Sequence, residues 1–302
     1  MRNIVYIKNA QVLTMKSGRL KIRNPISNEA HFMYCDEISV LVLENKSAFV
    51  RIDAINELLR HSVTILICDE RFVPRALISN EFGYHLKLKV LKLQIGFSKK
   101  AKDRLWQKVI KSKIENQLQV IRWNVDVSKI TERSLAAFAG EVLEGDKTCR
   151  EAVVSRAYFP LCYGKEFRRG RYNDKINASL NYGYAVLRAI IRKSLVTNGF
   201  EPCLGFHHNS MENPFNLSDD VIEAYRPFVD MIVLQYIVPS EPKEFVDELR
   251  LLLLEKLLTL NCIICDKGFT LFDAIELTVE SLKNCYEKNS SSGLLLPKLI
   301  EP

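Results

Sequence analysis

The chain has 302 residues, of which 47% are hydrophobic and 26% are charged, and its formal net charge is +7. This composition is typical of a globular protein of two domains and excludes a chain that needs disulfides to hold a small core. The longest uncharged stretch, Ile176–Leu187, has 12 residues, against about 20 for a membrane-spanning helix. No apolar signal core follows the first residues, so we expect a cytoplasmic protein whose scattered cysteines stay reduced.

The first 80 residues are predicted to be β-rich. Short runs of strand-forming residues, such as Asn3–Ile7 and Ile38–Leu43, alternate with turn formers such as Lys16–Gly18. One helix interrupts the strands, with Asp53 as its candidate N-cap. A last strand is predicted at Arg71–Ile78.

After Asn80 the pattern becomes helical almost to the end of the chain. The predicted helices are His85–Phe97, Lys100–Gln117, Ile130–Val142, Thr148–Tyr163, Asp174–Thr197, Ser218–Val238, Pro242–Thr259 and Leu271–Tyr286. Asp174 is the candidate N-cap of the clearest of them. The predicted fold class is therefore α+β. A small N-terminal β-rich domain, residues 1–80, precedes a larger all-helical domain, residues 81–302, with a flexible tail from about residue 289.

A basic segment opens the helical part. Leu86–Ile114 contains ten lysines or arginines and a single acid. Arg104, Lys108 and Lys111 recur at helical spacing and form a basic stripe, whereas Lys113 falls on the apolar side of the same helix. This stripe is either a solvated helix face or a contact surface for phosphate groups.

Glu151 is the first candidate functional carboxylate. It begins a helix and points along the packed face, where a charge is costly unless something pairs with it. The alternative interpretation, which position alone favours, is a glutamate stabilised by the helix dipole or by a neighbouring cation. The neighbouring cations are Lys147, Arg150 and Arg156.

The segment Gly205–His208 carries two adjacent histidines in a predicted loop. Because the side chains of adjacent residues diverge, we expect one of them at most to serve a given site. A loop histidine is more often a hydrogen-bonded surface residue than a metal ligand.

An acidic stripe follows this loop. Asp220, Glu223 and Asp230 lie at helical spacing, and Pro227 cannot donate a hydrogen bond to the carbonyl of Glu223, so the backbone is expected to kink there. A solvated acidic face is the alternative. Taken together, two carboxylates and one imidazole form an oxygen-rich site that suits Mg²⁺ or Mn²⁺.

The blocks that carry a family resemblance follow one another along the chain. They are Arg104–Lys108, Lys113–Gln117, Arg150–Ala152, Tyr158–Phe159, Asp174–Tyr184, Gly205–His208, Asn213–Leu217 and Glu223–Asp230. With these blocks, nearly the whole chain resembles the CRISPR-associated integrase/endonuclease family, the larger universal subunit of the spacer-acquisition complex. It most resembles the type II branch. The resemblance implies that the helical domain is the catalytic one.

Residue by residue, the resemblance implies that Glu151, His208 and Glu223 are catalytic and bind one divalent cation, Mg²⁺ or Mn²⁺. His208 matches the histidine that ends the family's Gly-Phe-Leu-His block, although His207 stands here where leucine is usual. Many relatives also have aspartate at the position of Glu223. Asp220 is implied as a second acid or an outer-shell group.

Other residues are implied in supporting roles. Asn177, Asn181 and Tyr184 resemble family residues near the site, with helix packing as their alternative role. The candidates for contact with the DNA backbone are Arg104, Lys108 and Lys111.

The implied reaction is direct transesterification, in which the 3′-hydroxyl of a short DNA fragment attacks a phosphodiester at the repeat boundary. The implied partners are DNA, a second copy in a homodimer, a small CRISPR-associated adaptation subunit that bridges two dimers, and other type II CRISPR proteins. No membrane partner is expected. Two alternatives stay open: a stand-alone metal-dependent DNA nuclease, and a non-catalytic DNA-binding scaffold whose acids merely pair with lysine or arginine.

Overall fold

A computed structural model describes residues 3–70, 74–78, 86–172 and 174–301 of the chain. The chain divides into two compact units, Met1–His85 and Leu86–Pro302. The domain boundary predicted near residue 80 lies outside the described residues, as do the first three residues of the strand predicted at 71–78.

The first unit is built from strands around one amphipathic helix, as far as its residues are described. Its elements are β1 Asn3–Ile7, β2 Val12–Lys16, β3 Arg19–Arg23, β4 Ala30–Met33, β5 Ile38–Leu43, β6 Phe49–Val50, α1 Ile52–Arg60, β7 Thr64–Cys68 and β8 Pro74–Ile78. One sheet has the order β1-β5-β7-β8, in which β8 is antiparallel to β7 and the others run parallel. The other has the order β4-β3-β2-β6, with β2, β3 and β4 antiparallel.

Alternating burial along the strands builds the core of this unit. In β3, Leu20 and Ile22 point inward between half-buried neighbours, as the two-residue period of a strand requires. They join Ile38 of β5 and Ala54 and Leu58 of α1 in one apolar cluster. Burial of these side chains from both sheets and the helix holds the unit together.

The start of α1 differs from the prediction. Asp53 is not the N-cap, because the helix begins at Ile52 and Arg51 occupies the cap position without a side-chain hydrogen bond. Asp53 lies in the first turn, where the helix dipole stabilises its negative charge. It pairs there with Arg51 at 3.1 Å.

The second unit is mainly helical. Its elements are α2 Lys87–Gly96, α3 Lys99–Asn124, α4 Lys129–Gly140, α5 Arg150–Tyr163, α6 Lys175–Thr197, α7 Asn216–Ile222, α8 Arg226–Ile232, α9 Asp247–Thr259, β9 Asn261–Ile264, β10 Lys267–Thr270, α10 Leu271–Glu287 and β11 Lys298–Leu299. The predicted fold class, a β-rich start followed by a helical remainder, is confirmed. The small sheet β10-β9-β11 is an addition that the helical pattern did not reveal.

Helix α6 lies at the centre of this unit, against α7, α9 and α10. As predicted, Asp174 caps it: the Asp174 carboxylate accepts a hydrogen bond from the backbone N–H of Asn177 at 2.9 Å. A Cβ added to Gly183 would lie 2.4 Å from Cγ1 of Val229. The absence of a side chain at Gly183 therefore allows α6 and α8 to approach closely.

The helix predicted at Ser218–Val238 is interrupted. It ends as α7 at Ile222 and resumes as α8 at Arg226, with a turn between them. Pro227 causes the break, since it has no N–H to donate to the carbonyl of Glu223. The interruption leaves Glu223 at the junction of two short helices, and Val233–Ile237 continues the chain as a short π-helix.

The end of the chain is anchored, which corrects the expectation of a flexible tail. Strand β11 pairs antiparallel with β9 through Leu299 and Cys262. The backbone N–H of Leu299 also donates to the Asn116 side chain at 3.0 Å. Apolar side chains near the terminus supply the burial that a free tail would lack.

In the described part of the chain, every helix falls short of the length and apolar character required to cross a membrane.

Candidate functional site

Three helical segments meet at one buried ammonium group. Lys113 of α3 is 5% exposed. Its Nζ lies 2.5 Å from Oε1 of Glu151 on α5 and 2.6 Å from Oε2 of Glu223 at the α7–α8 junction. Burial by itself would lower the pKa of Lys113, but the two carboxylates outweigh it and raise the pKa. Lys113 is therefore charged and bridges both acids.

Glu151 is held in place at the start of α5. The Asp146 carboxylate accepts hydrogen bonds from the backbone N–H groups of Arg150 and Glu151, at 2.8 and 3.1 Å, and so satisfies two donors of the first helical turn. The side chain of Ser155, one turn on, donates to Oε1 of Glu151 at 3.0 Å. Arg150 pairs instead with Glu141 at 2.9 Å, so the cation beside Glu151 comes from a distant helix.

Glu223 is more deeply buried than Glu151, with 8% of its side chain exposed against 31%. Burial alone would raise the pKa of Glu223, but Arg226 and Lys113 outweigh it and, with a contribution from His208, lower the pKa to about 2. Nε of Arg226 lies 2.9 Å from Oε1 of Glu223. Both oxygens of Glu223 thus face a cation.

Asp220 organises the loop that carries His208. The Asp220 side chain is fully buried. It accepts hydrogen bonds from the backbone N–H groups of Phe206 at 2.6 Å and of His207 and His208 at 2.9 Å. Nδ1 of His208 lies 2.7 Å from Oδ1 of the same carboxylate, and this hydrogen bond raises the pKa of His208. A carboxylate that holds Nδ1 leaves Nε2 of the ring for another ligand.

The loop requires glycine at position 205. A Cβ on Gly205 would lie 2.3 Å from the backbone oxygen of His208 and 2.7 Å from Oδ2 of Asp220. A side chain there would push the loop away from its carboxylate.

His207 has a different environment from His208. Its ring stacks flat on the indole of Trp106, with 3.8 Å between ring centroids and 2° between planes. The His208 ring meets Trp106 edge-on at 5.5 Å. The Asp220 carboxylate orients the His208 ring, whereas the His207 ring packs on Trp106.

Asn177, Asn181 and Tyr184 contact an arginine rather than the two glutamates. Arg169 donates to the side-chain oxygens of Asn177 and Asn181 at 3.0 and 2.8 Å. The guanidinium of Arg169 also lies over the Tyr184 ring, 5.2 Å from its centroid. These residues fix Arg169 beside the site.

Asp230 of α8 is a further buried acid, and it contacts Tyr184. It is 1% exposed and accepts a hydrogen bond from the Tyr184 hydroxyl. Burial raises the pKa of Asp230 to about 6, against the opposing effect of the Tyr184 hydrogen bond.

A cavity of about 420 Å³ opens onto the bridged carboxylates. Its lining combines acids with cations and aromatic rings. The lining residues are Lys113, Gln117, Glu151, Ser155, Arg156, Phe159, Pro160, Phe167, Arg168, Arg169, Tyr184, Glu223, Arg226 and Asp230. The combination suits an anionic ligand that must approach buried carboxylates.

The basic stripe of α3 is partly engaged within the protein. Nε of Arg104 pairs with Glu144 at 2.7 Å, and Nζ of Lys108 donates to the backbone oxygen of Ser292 at 3.1 Å. Lys111 is half-buried. Contact of these three side chains with DNA stays a prediction.

The donor set of Glu151, Glu223 and His208 fits a hard divalent cation. In the described part of the chain, no three His, Cys, Asp or Glu side chains are arranged to hold a metal ion. The ammonium of Lys113 lies between Glu151 and Glu223. A positive charge already binds both carboxylates at this position. Carboxylate oxygens and an imidazole oriented by a carboxylate are ligands that Mg²⁺ and Mn²⁺ accept.

Comparison with known proteins assigns the family. Residues 5–257 match the family model described as "CRISPR associated protein Cas1". The match covers most of the chain, so the chain belongs to the Cas1 family.

Individual relatives agree with this assignment. The CRISPR-associated endonuclease Cas1 of Neisseria meningitidis serogroup C (strain 8013) is 33% identical over 295 residues, which are 97% of this chain and 95% of that protein. A solved casposase bound to its integration product has the same fold, with a TM-score of 0.79, 17% identity, and 96% of this chain and 92% of that chain covered. A chain of a Cas6-RT-Cas1–Cas2 complex has a TM-score of 0.70 and 18% identity, over 99% of this chain and 36% of that chain.

Sequence reasoning missed the cations of the site. Lys113, Arg169 and Arg226 were not among the candidate residues. One signal in the sequence pointed to Lys113, because it falls on the apolar face of an amphipathic helix. A lysine buried on such a face needs a partner of opposite charge.

Proposed function

We propose that this protein is a metal-dependent DNA integrase of CRISPR adaptation, which joins the 3′-hydroxyl ends of short DNA fragments into the repeat array by transesterification. The observation that carries the proposal is the convergence of Glu151 and Glu223 on one buried cation next to the His208 loop. Membership of the Cas1 family and the endonuclease name of the Neisseria relative support it. The type II branch is part of the proposal.

Glu151, Glu223 and His208 would hold the cation, Mg²⁺ or Mn²⁺. When bound, such an ion activates a hydroxyl for attack and neutralises charge on a phosphodiester. Asp220 keeps His208 oriented through its hydrogen bond to Nδ1.

The arginines of the cavity supply the charge that a DNA strand needs near the reacting phosphate. Arg156, Arg168 and Arg169 line the same cavity as Glu151 and Glu223. The asparagines hold Arg169 rigid, so its positive charge is placed before the substrate arrives.

Two attacks on the two ends of a fragment require two active sites, so we propose a homodimer. A small adaptation subunit would bridge two such dimers, and the Cas2 partner of the solved complex supports this. Further partners would be DNA, both as fragment and as repeat, and other type II CRISPR proteins. We propose that residues after 80 form the catalytic domain and that the protein acts in the cytoplasm.

Strand joining tests the proposal. A short duplex with 3′-hydroxyl ends is incubated with a supercoiled repeat plasmid, Mn²⁺ or Mg²⁺ and the cognate small subunit. Glu151→Ala and His208→Ala are expected to lower joining about 100-fold or more, because each removes a ligand. Glu132→Ala and His61→Ala are matched controls, since Glu132 pairs instead with Arg122 at 2.6 Å and His61 with Glu57 at 3.4 Å.

A duplex with dideoxy 3′ ends separates the alternatives. Joining that requires the 3′-hydroxyl supports the integrase. Plasmid cleavage by both duplexes, without joined product, indicates a nuclease. DNA binding with neither reaction, unchanged in Glu151→Ala, indicates a scaffold.

A further inference from the structure

Lys113 has no part in the roles proposed so far, yet it is the cation on which the two candidate metal ligands converge. It comes from α3, whereas Glu151 and Glu223 follow it by 38 and 110 residues. A single buried ammonium therefore joins three separate segments of the helical unit.

The burial of Lys113 makes this bridge strong. With 5% of the residue exposed, the ammonium has exchanged water for the two carboxylates. A buried charge that loses its partner is left without compensation, and so is each partner that remains. The bridge is thus required whenever no other cation lies between the two acids.

These contacts also occupy the carboxylate oxygens through which the two glutamates would bind a metal ion. Nζ of Lys113 contacts Oε1 of Glu151 and Oε2 of Glu223, while Nε of Arg226 lies 2.9 Å from the other Glu223 oxygen. Two carboxylates and two side-chain cations balance in charge. A divalent ion that joined this set unchanged would add two positive charges to a neutral cluster whose Lys113 and Glu223 side chains are buried.

We propose that Lys113 is a positioning residue, a built-in counter-cation that holds Glu151 and Glu223 together before the divalent ion binds and competes with that ion for their oxygens. This inference rests on the proposed function, because it takes both glutamates as metal ligands. The cavity lined by Lys113 gives its flexible stem room to withdraw from the carboxylates.

The first experiment needs no metal and no DNA. Thermal unfolding of the full chain in EDTA compares native protein with Lys113→Met, which removes the charge, and Lys113→Arg, which keeps it. We expect Lys113→Met to lower Tm by about 6 °C or more and Lys113→Arg to lower it less. Lys99→Met is the matched control, because Lys99 lies on the same helix and pairs with Asp103 at 2.6 Å, but its side chain is 81% exposed.

The second experiment titrates Mn²⁺ into the same proteins and records Tm at each concentration. Because Lys113→Met lacks the competing ammonium, Mn²⁺ should raise its Tm at a lower concentration. We expect the midpoint of the Tm increase to lie at a Mn²⁺ concentration about fivefold or more below that of native protein. If the single variant Lys113→Met does not fold, the double variant Lys113→Met with Glu223→Gln is used in its place. It is expected to be more stable than Lys113→Met, because it has one carboxylate fewer without a counter-cation.

The outcomes are separable. A Tm of Lys113→Met equal to that of Lys99→Met, no gain on adding Glu223→Gln, or a Mn²⁺ midpoint that stays the same or rises overturns the inference. If Mn²⁺ leaves Tm unchanged in native protein and in every variant, both the metal site and the competition between Lys113 and the ion are overturned. A Mn²⁺ response that follows the expected order, without strand joining, supports the role of Lys113 and contradicts the proposed function alone.

Discussion

The two halves of the candidate site are built in different ways. Glu151 and Glu223 are held by an ammonium from a distant helix. His208 is held by Asp220, a carboxylate that also binds the backbone of the loop. The first half is a side-chain ion cluster, and the second is a backbone-anchored loop.

This difference separates the forces that position the ligands. In the ion cluster, opposite charges fix the acids, so their geometry depends on which cation lies between them. In the loop, hydrogen bonds from consecutive backbone N–H groups fix the carboxylate, and the ring follows. The ion cluster is therefore expected to respond to a metal ion, whereas the loop is expected to keep its shape.

The largest effect on stability is expected from the loop. Asp220→Ala in EDTA should lower the free energy of unfolding by about 3–5 kcal/mol, because it leaves consecutive N–H groups without their acceptor. Urea unfolding measures the change. Asp219→Ala is the neighbouring control, with an expected cost of about 1 kcal/mol, since Asp219 pairs with the half-exposed Arg188 at 3.3 Å. Equal costs for the two variants would contradict a loop built on Asp220.

A smaller and pH-dependent effect is expected from the ion cluster. The pKa of Glu223 is lowered to about 2 in the folded protein, so its stabilisation is present above its ordinary pKa and is lost as pH falls toward the folded value. Glu223→Gln should cost about 2–3 kcal/mol near pH 7, and the difference from native protein should shrink below about pH 4.5. Urea unfolding at several pH values measures it. A difference that stays constant with pH would show that the charge of Glu223 is not what stabilises the cluster.

The smallest effect is expected from the His208 ring. Its pKa is raised by the hydrogen bond to Asp220, so the stabilisation is complete below the ordinary pKa and is lost as pH rises through the raised value. Since 40% of the side chain is exposed, His208→Gln should cost less than about 1 kcal/mol. The cost should be larger at about pH 5.5 than at about pH 8.5. The opposite pH trend would contradict the assigned pairing, and NMR titration of the ring would measure the pKa itself.

Local sequence patterns predicted elements well where the reason is local. Asp174 caps α6 because its side chain reaches the N–H of Asn177, three residues away. Pro227 breaks its helix because its ring removes a donor for the preceding turn. The N-cap predicted for α1, Asp53, lies two residues after the observed cap residue, Arg51. Both positions precede an apolar residue, so the local pattern did not distinguish them.

The sequence by itself determined the fold class, the helix containing Lys113 on its apolar side, and the order of the acid and histidine blocks. Each of these depends on residue types within a few turns of one another. Only the tertiary structure decided which cation pairs with Glu151. Lys147, Arg150 and Arg156 were nearer in the chain, but Lys113 lies on a helix that packs against α5. An ion pair depends on distance in space and on burial, and neither can be read from spacing along the chain.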